Sequence, residues 1–335
     1  MNTSSDIKIE KPNIIQALLS GFNTIASKPY LILLPVILDL FLWFGPAWRV
    51  VDVFRPIIQS ISNIPGLNGS DYAEAIQSYQ ALWQEVLNNF NLATVLRTLP
   101  IGVPSLMVGE LPFINPIGHP MVFNLDTSLQ VLAFSVLFLA VGFFLGNIFF
   151  QNISHQVMPS NERTTIKDTL KTFLQIVLMP VMLLLVMLVI SIPVLLLITI
   201  VTLISPTFGE FMIFMVGIII LWILMPLIFT PHSIYLYKQN LISAMMTSIS
   251  VVRVSMGRTA WFILASFVLI RGLDILWRSP ASDSWFLLVG ILGHAFIVSA
   301  VIASSFHYFL DATKFTQTIL DKQQKADVLS PFKDH

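Results

Sequence analysis

The sequence contains no cysteine and few charged residues, which occupy 11% of its 335 positions. Without cysteine, the chain has neither a disulfide framework nor a thiolate metal site. Its 18 basic and 18 acidic residues balance, so no excess of positive charge favours nucleic-acid binding. Hydrophobic residues make up 56% of the chain, and the mean hydropathy is +0.81. This composition excludes a disordered chain and indicates a polytopic membrane protein.

The sequence also lacks the common catalytic motifs. It has no GxxxxGK[ST] phosphate-binding loop, no HExxH pair and no GxSxG nucleophile turn. The six histidines are scattered without the spacing of metal ligands. We therefore expect a protein that is not an enzyme and that binds no cofactor and no metal.

Six continuous apolar runs are long enough to cross a bilayer, whose core of about 30 Å takes about 20 helical residues. Their continuity excludes a membrane β-barrel, in which apolar and polar positions alternate. The third run contains Pro180 and Pro193, and we expect it to begin at the interface and to span after Pro180. The predicted transmembrane helices are residues 30–48, 129–150, 172–204, 211–229, 259–277 and 285–310.

The predicted fold is all-α, with six transmembrane helices, interfacial amphipathic helices and an extracytoplasmic cap of helix and loop. Thirteen of the 18 basic residues lie on the side that holds both termini, and cytoplasmic loops are the basic ones. Both termini are therefore expected in the cytoplasm, with the chain in the plasma (inner) membrane. The expected parts are a cytoplasmic interfacial helix at 1–29, the first span, the cap at 49–127, a five-helix bundle at 128–310 and a cytoplasmic tail at 311–335.

Three segments that precede spans share one pattern of apolar residues, at offsets 0, 4, 7 and 10. These offsets fall on one face of a helix. We expect three amphipathic helices along the cytoplasmic interface. The alternative is that helices entering a membrane generally have this pattern. The residues are Ile15, Leu19, Phe22 and Ile25; Ile166, Leu170, Phe173 and Ile176; and Ile242, Met246, Ile249 and Val252.

The predicted cap at 49–127 combines a helix with a proline-rich stretch. The sequence from Asp71 to Asn89 predicts the helix. Five prolines between residues 100 and 120 exclude a helix or a central strand there. That stretch is nevertheless apolar, unlike a solvated linker. We expect it to be ordered and to pack on the ends of the transmembrane helices.

Four ionisable residues in the spans form the candidate site: Asp39, Arg271, Asp274 and His294. Ionisable residues at membrane depth are costly and are often functional. All four are predicted at similar depths in the outer half of the bilayer, where they could bind an anionic head group or relay a proton. In the structural alternative, Asp274 pairs with Arg271, the Arg271 side chain extends to the interface, and Asp39 finds a hydroxyl or amide partner.

Two rows of small residues predict close packing of helices. Gly142 and Gly146 form a GxxxG motif in the second span, and Ala295, Ser299 and Ala303 form a row in the sixth. Packing within the bundle is the favoured interpretation, and a dimer contact is the alternative.

The pattern of an amphipathic helix followed by a long apolar span occurs as NIIQALLSGFNTIASKPYLILLP and as LISAMMTSISVVRVSMGRTAWFILASF. It resembles an uncharacterised family of bacterial polytopic membrane proteins and the membrane domain of some glycerophosphodiester phosphodiesterases. The resemblance covers residues 10–48 and 164–310. It implies no activity, because nothing in the sequence matches the catalytic domain of those enzymes. Residues 49–127 depart from the pattern.

The sequence thus favours a non-enzymatic membrane protein that is an accessory or structural subunit of a membrane complex or handles lipid. Its expected partners are membrane lipids and other membrane-protein subunits, without nucleic acid. The alternative is a transporter or permease component that uses the polar cluster in the outer half.

Overall fold

The computed structural model describes residues 11–60, 70–109, 114–159 and 165–329 of the chain. The ends of the predicted interfacial helix and cytoplasmic tail, residues 1–10 and 330–335, lie outside these ranges. The chain is an all-α polytopic membrane protein. Its α-helices are α1 Ile14–Ser27, α2 Leu33–Phe44, α3 Val51–Ser60, α4 Ser70–Asn89, α5 Ser128–Val157, α6 Ile166–Ile204, α7 Pro206–Leu224, α8 Thr230–Tyr237, α9 Leu241–Trp277 and α10 Leu287–Leu329.

Five helical segments are long and apolar enough to cross a membrane. A sixth crossing exists if α1 and the segment Pro29–Phe44, which meet at a bend of 93°, form one broken span. The structure therefore confirms the predicted all-α, multi-pass fold. The five segments are α5, α6, the stretch Pro206–Tyr237, α9, and α10 as far as Gln324.

The chain divides into two compact units. The first unit comprises Met1–Ser27, Phe150–Val268 and Ala300–His335. The second unit comprises Lys28–Phe149 and Leu269–Ser299, and it holds all four residues of the predicted polar cluster.

In the second unit, the first predicted span is shorter than the sequence indicates. A 3-10 helix at Pro29–Ile32 leads into α2, which ends at Phe44. Gly45 turns to an extended backbone while its amide donates to the Phe41 carbonyl, and Pro46 cannot continue the helix. The prediction of a helix as far as Trp48 is therefore wrong, because the apolar run continues past this stop.

A strand replaces the end of that predicted helix. Strand β1, Ala47–Arg49, pairs in parallel with β2, Val122–Asn124, and Trp48 lies opposite Phe123. The Trp48 ring also meets the Phe138 ring edge-on, with 5.0 Å between the ring centroids. The strand pair joins the two ends of segment 49–127. Neither this pair nor α3 was predicted, whereas the predicted helix from Asp71 to Asn89 matches α4.

In the first unit, α6 runs without a break through Pro180 and Pro193. It begins with a capping box in which Thr165 and Asp168 each bond the backbone of the other. The sequence predicts an interfacial start before Pro180 and a spanning part after it, but the helix has no break at Pro180. Helix α7 follows directly after Ser205 and packs on α6, with Gly209 against Thr202.

The three segments with the shared apolar pattern also share the order of exposed and buried positions. The first two apolar positions are exposed, the third is intermediate and the fourth is buried in every copy. Helix bending differs among them: the first segment ends at the non-helical Lys28, the third has a non-helical Ser255, and the second is continuous. The exposed residues are Ile15, Leu19, Ile166, Leu170, Ile242 and Met246, and the buried ones are Ile25, Ile176 and Val252.

Candidate functional site

The candidate site is built around an irregular apolar loop inside the second unit. We call residues Ile101–Met107 the buried loop, because all but the half-buried Gly102 are buried. A short 3-10 helix, Leu92–Leu96, precedes it, and the Asn91 side chain caps that helix by accepting from the Ala93 amide. A loop has no backbone hydrogen-bonding pattern of its own, so its buried N–H and C=O groups need other partners.

Asp39 supplies partners to three donors of the buried loop. Its carboxylate is fully buried. Oδ1 accepts from the Ser105 hydroxyl at 2.5 Å and from the Met107 amide at 3.0 Å. Oδ2 accepts from the Leu106 amide at 3.0 Å. Asp39 thus anchors the loop to α2, as the structural alternative with a hydroxyl or amide partner expects.

Two arginines supply donors to the loop's carbonyl groups. Arg278, just after α9, donates from Nη2 to the Leu106 carbonyl at 2.7 Å and to the Val108 carbonyl at 3.4 Å. Arg97 donates from Nη1 to the Ser105 carbonyl at 3.4 Å. Residues 105–107 therefore donate to the Asp39 carboxylate, and the carbonyl groups of residues 105, 106 and 108 accept from the two arginines.

The GxxxG motif of α5 makes room for the same part of the chain. A Cβ at Gly142 would meet the Leu96 carbonyl oxygen and would lie 2.8 Å from Thr98 Cγ2. A Cβ at Gly146 would lie 2.8 Å from Gly102 Cα. The motif admits a loop backbone in place of the predicted second helix. Backbones approach this closely only where a side chain is missing.

Asp274 and His294 form a second buried pair in this unit. His294 Nδ1 lies 2.8 Å from Asp274 Oδ1 and joins α9 to α10. His294 Nε2 is buried and has no hydrogen-bond partner among the described residues. The charges of Asp39 and His294 are close enough to interact. The sequence predicts Arg271 as the partner of Asp274, and the structure shows His294 as a partner.

Arg271 is exposed and lies on the same face of α9 as Asp274, three residues later, and Arg278 follows just after the end of the helix. The charge of Arg97 interacts with those of Arg271, Asp274, Arg278 and Asp39. The four predicted residues therefore lie in one electrostatic neighbourhood. Sequence reasoning missed Arg97, Arg278 and the loop groups at 105–107. The signal available for the loop was its apolar, proline-rich sequence, which needs polar partners wherever it is buried.

The small-residue row of α10 is also buried. Ala295, Ser299 and Ala303 are all inaccessible to solvent. Nearby on the same helix, the Ala300 carbonyl and Ser304 lie against Gly21 of α1, within the first unit. No group of three or more His, Cys, Asp or Glu side chains suited to a metal ion occurs in the described part of the chain.

Comparison of the chain with models of protein families, with curated proteins and with solved structures finds no match.

Proposed function

We propose that the chain is a non-enzymatic integral membrane protein that serves as an accessory or structural subunit of a membrane complex or handles lipid. Its partners would be membrane lipids and other membrane-protein subunits, without nucleic acid. In this proposal, the charged groups of the polar cluster stabilise the fold, and the exposed apolar surface contacts lipids and other membrane proteins.

The observation that carries the proposal is the exposed apolar surface of α6 and α7. None of the residues in the most apolar 18-residue stretch of α6 is buried, and the same is true of the most apolar stretch of Pro206–Tyr237. Surface of this kind is stable only against lipid tails or the apolar face of another membrane protein. Its extent supports a role in contacts with the surrounding membrane and its proteins.

The arrangement of Asp39 supports a non-catalytic role for the polar cluster. Both carboxylate oxygens are occupied by donors of the buried loop, and the side chain is fully buried. A carboxylate used as a base or an ion ligand needs a free lone pair that a substrate can reach. Asp39 is better suited to satisfying the loop's buried backbone.

We further propose that the protein lies in the plasma (inner) membrane with both termini in the cytoplasm. The excess of lysine and arginine on one side supports this orientation. In that case α1 and the starts of α6 and α9 lie along the cytoplasmic interface. Their exposed apolar residues, such as Leu19, Leu170 and Met246, would then insert between lipids.

A transporter or permease component is the second candidate. The observation that favours it is the buried His294 Nε2, which has no partner among the described residues and lies in the electrostatic neighbourhood of Asp39. This candidate requires a path for water or substrate to the Asp39 carboxylate.

Purification in a mild detergent followed by native mass spectrometry tests the proposal. The expected result is a chain that retains phospholipid, a second membrane protein, or both. A chain recovered as a monomer with neither would overturn it.

A further inference from the structure

Helix α4 packs into the second unit along one face. Leu87 on this face is buried. Two turns earlier, Gln80 Nε2 donates to the Ile58 carbonyl of α3 at 3.5 Å. These contacts fix the rotation of α4 and therefore determine which of its side chains are turned outward.

A second apolar face of the same helix is turned outward. We call Tyr79, Leu82, Trp83 and Val86 the α4 stripe, because their spacing of three, four and seven residues places them along one side of the helix. All four side chains are exposed, and Leu82 exposes 58% of its surface. The Tyr79 and Trp83 rings meet edge-on, with 6.0 Å between their centroids. A contiguous exposed apolar row of this kind is typical of an interaction surface.

The α4 stripe is not part of a transmembrane span. Among the described helices, α4 is not one of those that are apolar enough to cross a membrane. Its 20 residues include the acidic Asp71, Glu74 and Glu85 and no lysine or arginine. Glu74 and Glu85 are exposed, and Glu85 borders the stripe because it follows Leu82 by three residues. Whatever covers the stripe therefore meets an apolar face with negative charge at its edge.

This charge argues against two occupants. Helices that lie on a lipid surface carry lysine and arginine on their polar face, and an anionic membrane surface repels an acidic helix. In a symmetric contact, a second copy of this chain would bring the same carboxylates to the same border, where like charges repel each other. A partner helix with basic residues beside its apolar face has the complementary charge.

We propose that the α4 stripe binds an amphipathic helix of another membrane-protein subunit, whose apolar face is bordered by lysine or arginine. This inference rests on the proposed function and names the chemistry of one partner. Tyr79 and Trp83 supply the aromatic contacts on which the affinity of an interface commonly depends, and Glu74 and Glu85 supply charge at its rim. In the proposed orientation, the contact lies on the extracytoplasmic side.

Photo-crosslinking of the full-length protein in native membranes tests the proposal. The photoreactive residue p-benzoylphenylalanine replaces Leu82 or Val86 in the stripe, or Gln77 or Gln84, which are exposed on the other side of α4 and serve as controls. Illumination should join positions 82 and 86 to one protein other than this chain, and the control positions should give no such adduct. Mass spectrometry of the crosslinked peptide should show an apolar helical segment of the partner with lysine or arginine beside its apolar positions.

Reversal of the border charge tests the chemistry of the partner separately. With the photoreactive residue at position 82, the double variant Glu74→Lys/Glu85→Lys should lower the yield of the adduct at least about fivefold, because like charges would then face each other. The control Asp126→Lys, which reverses an exposed aspartate elsewhere in the same unit, should leave the yield unchanged. Thermal unfolding in detergent should differ little among these variants, because the replaced side chains are exposed.

Three kinds of result would overturn the proposal. Adducts of the stripe with lipid alone would assign it to the membrane surface, and adducts only between copies of this chain would assign it to a homodimer. Equal crosslinking at stripe and control positions, no adduct at any position, or a yield unaffected by the charge reversal would also contradict it. In each case, lipid or a second subunit retained by the purified protein would leave the proposed function standing.

Discussion

The Ser105 hydroxyl donates to Asp39 Oδ1 over 2.5 Å and joins an irregular loop to the middle of a helix 66 residues earlier in the chain. The bond is one of three that end on this carboxylate, together with those from the Leu106 and Met107 amides. A buried loop within a membrane protein has few other ways to satisfy its backbone. Asp39 therefore stabilises the fold, as a side chain of the hydrophobic core does.

Replacing Asp39 by Asn should destabilise the protein. The Asn amide group retains one acceptor oxygen and turns an NH₂ towards groups that are themselves donors. Each buried donor left without a partner costs about 1–3 kcal/mol. We expect a clear drop in the thermal unfolding temperature in detergent and lower expression. The control is Asp126→Asn, at an exposed aspartate of the same unit, which should change little. Unchanged stability of the Asp39 variant, accompanied by loss of a biological activity, would favour a functional carboxylate.

Replacing Gly142 or Gly146 by Ala should also destabilise the protein, because a methyl group would press on Leu96 or Gly102 of the loop segment. The matched control is Gly217→Ala in α7, where an added Cβ has nothing within 4 Å. There the higher helix propensity of alanine should leave stability unchanged or raise it by up to about 1 kcal/mol. Thermal unfolding of the three variants checks the contrast. Equal effects at all three positions would mean that the close approach of the loop is not important for stability.

Much of the fold follows from the sequence because long apolar helices have a strong and local signal. The runs that become α5, α6 and α10 are visible without knowledge of their neighbours. The pairing of β1 with β2 depends on contacts between residues more than 70 positions apart, such as Ala47 and Val122. No local pattern reports such pairings.

The candidate site was predictable only in part, for a related reason. Asp39, Arg271, Asp274 and His294 are conspicuous because charges are rare in apolar runs. Arg97 and Arg278 lie outside the predicted spans, so nothing in the sequence distinguishes them from ordinary arginines of a connecting segment. Their importance arises from loop carbonyls that the fold brings to them. The GxxxG motif correctly indicated that another backbone approaches closely. It did not indicate which one, since a row of small residues can pack against a loop as well as against a helix.

The orientation of the chain can be tested by single-cysteine labelling, and the absence of native cysteine makes the background low. Gln77→Cys lies on α4 and Lys322→Cys near the end of α10, and both positions are exposed. An impermeant maleimide added to intact cells should label the first and spare the second, and permeabilised cells should label both. The reverse pattern would contradict cytoplasmic termini.

The accessibility of Ser105 to water tests most directly the claim that Asp39 has a structural role. A carboxylate that only holds the buried loop is closed to water, whereas a transport site must admit water. Ser105→Cys places a thiol of similar size next to Asp39, and Ile117→Cys provides an exposed control in the same 49–127 segment. A small charged methanethiosulfonate reagent applied to native membranes should modify position 117 rapidly. Position 105 should react only after denaturation. Modification of position 105 in the folded protein at a rate close to that of position 117 would contradict the structural role of the Asp39 site.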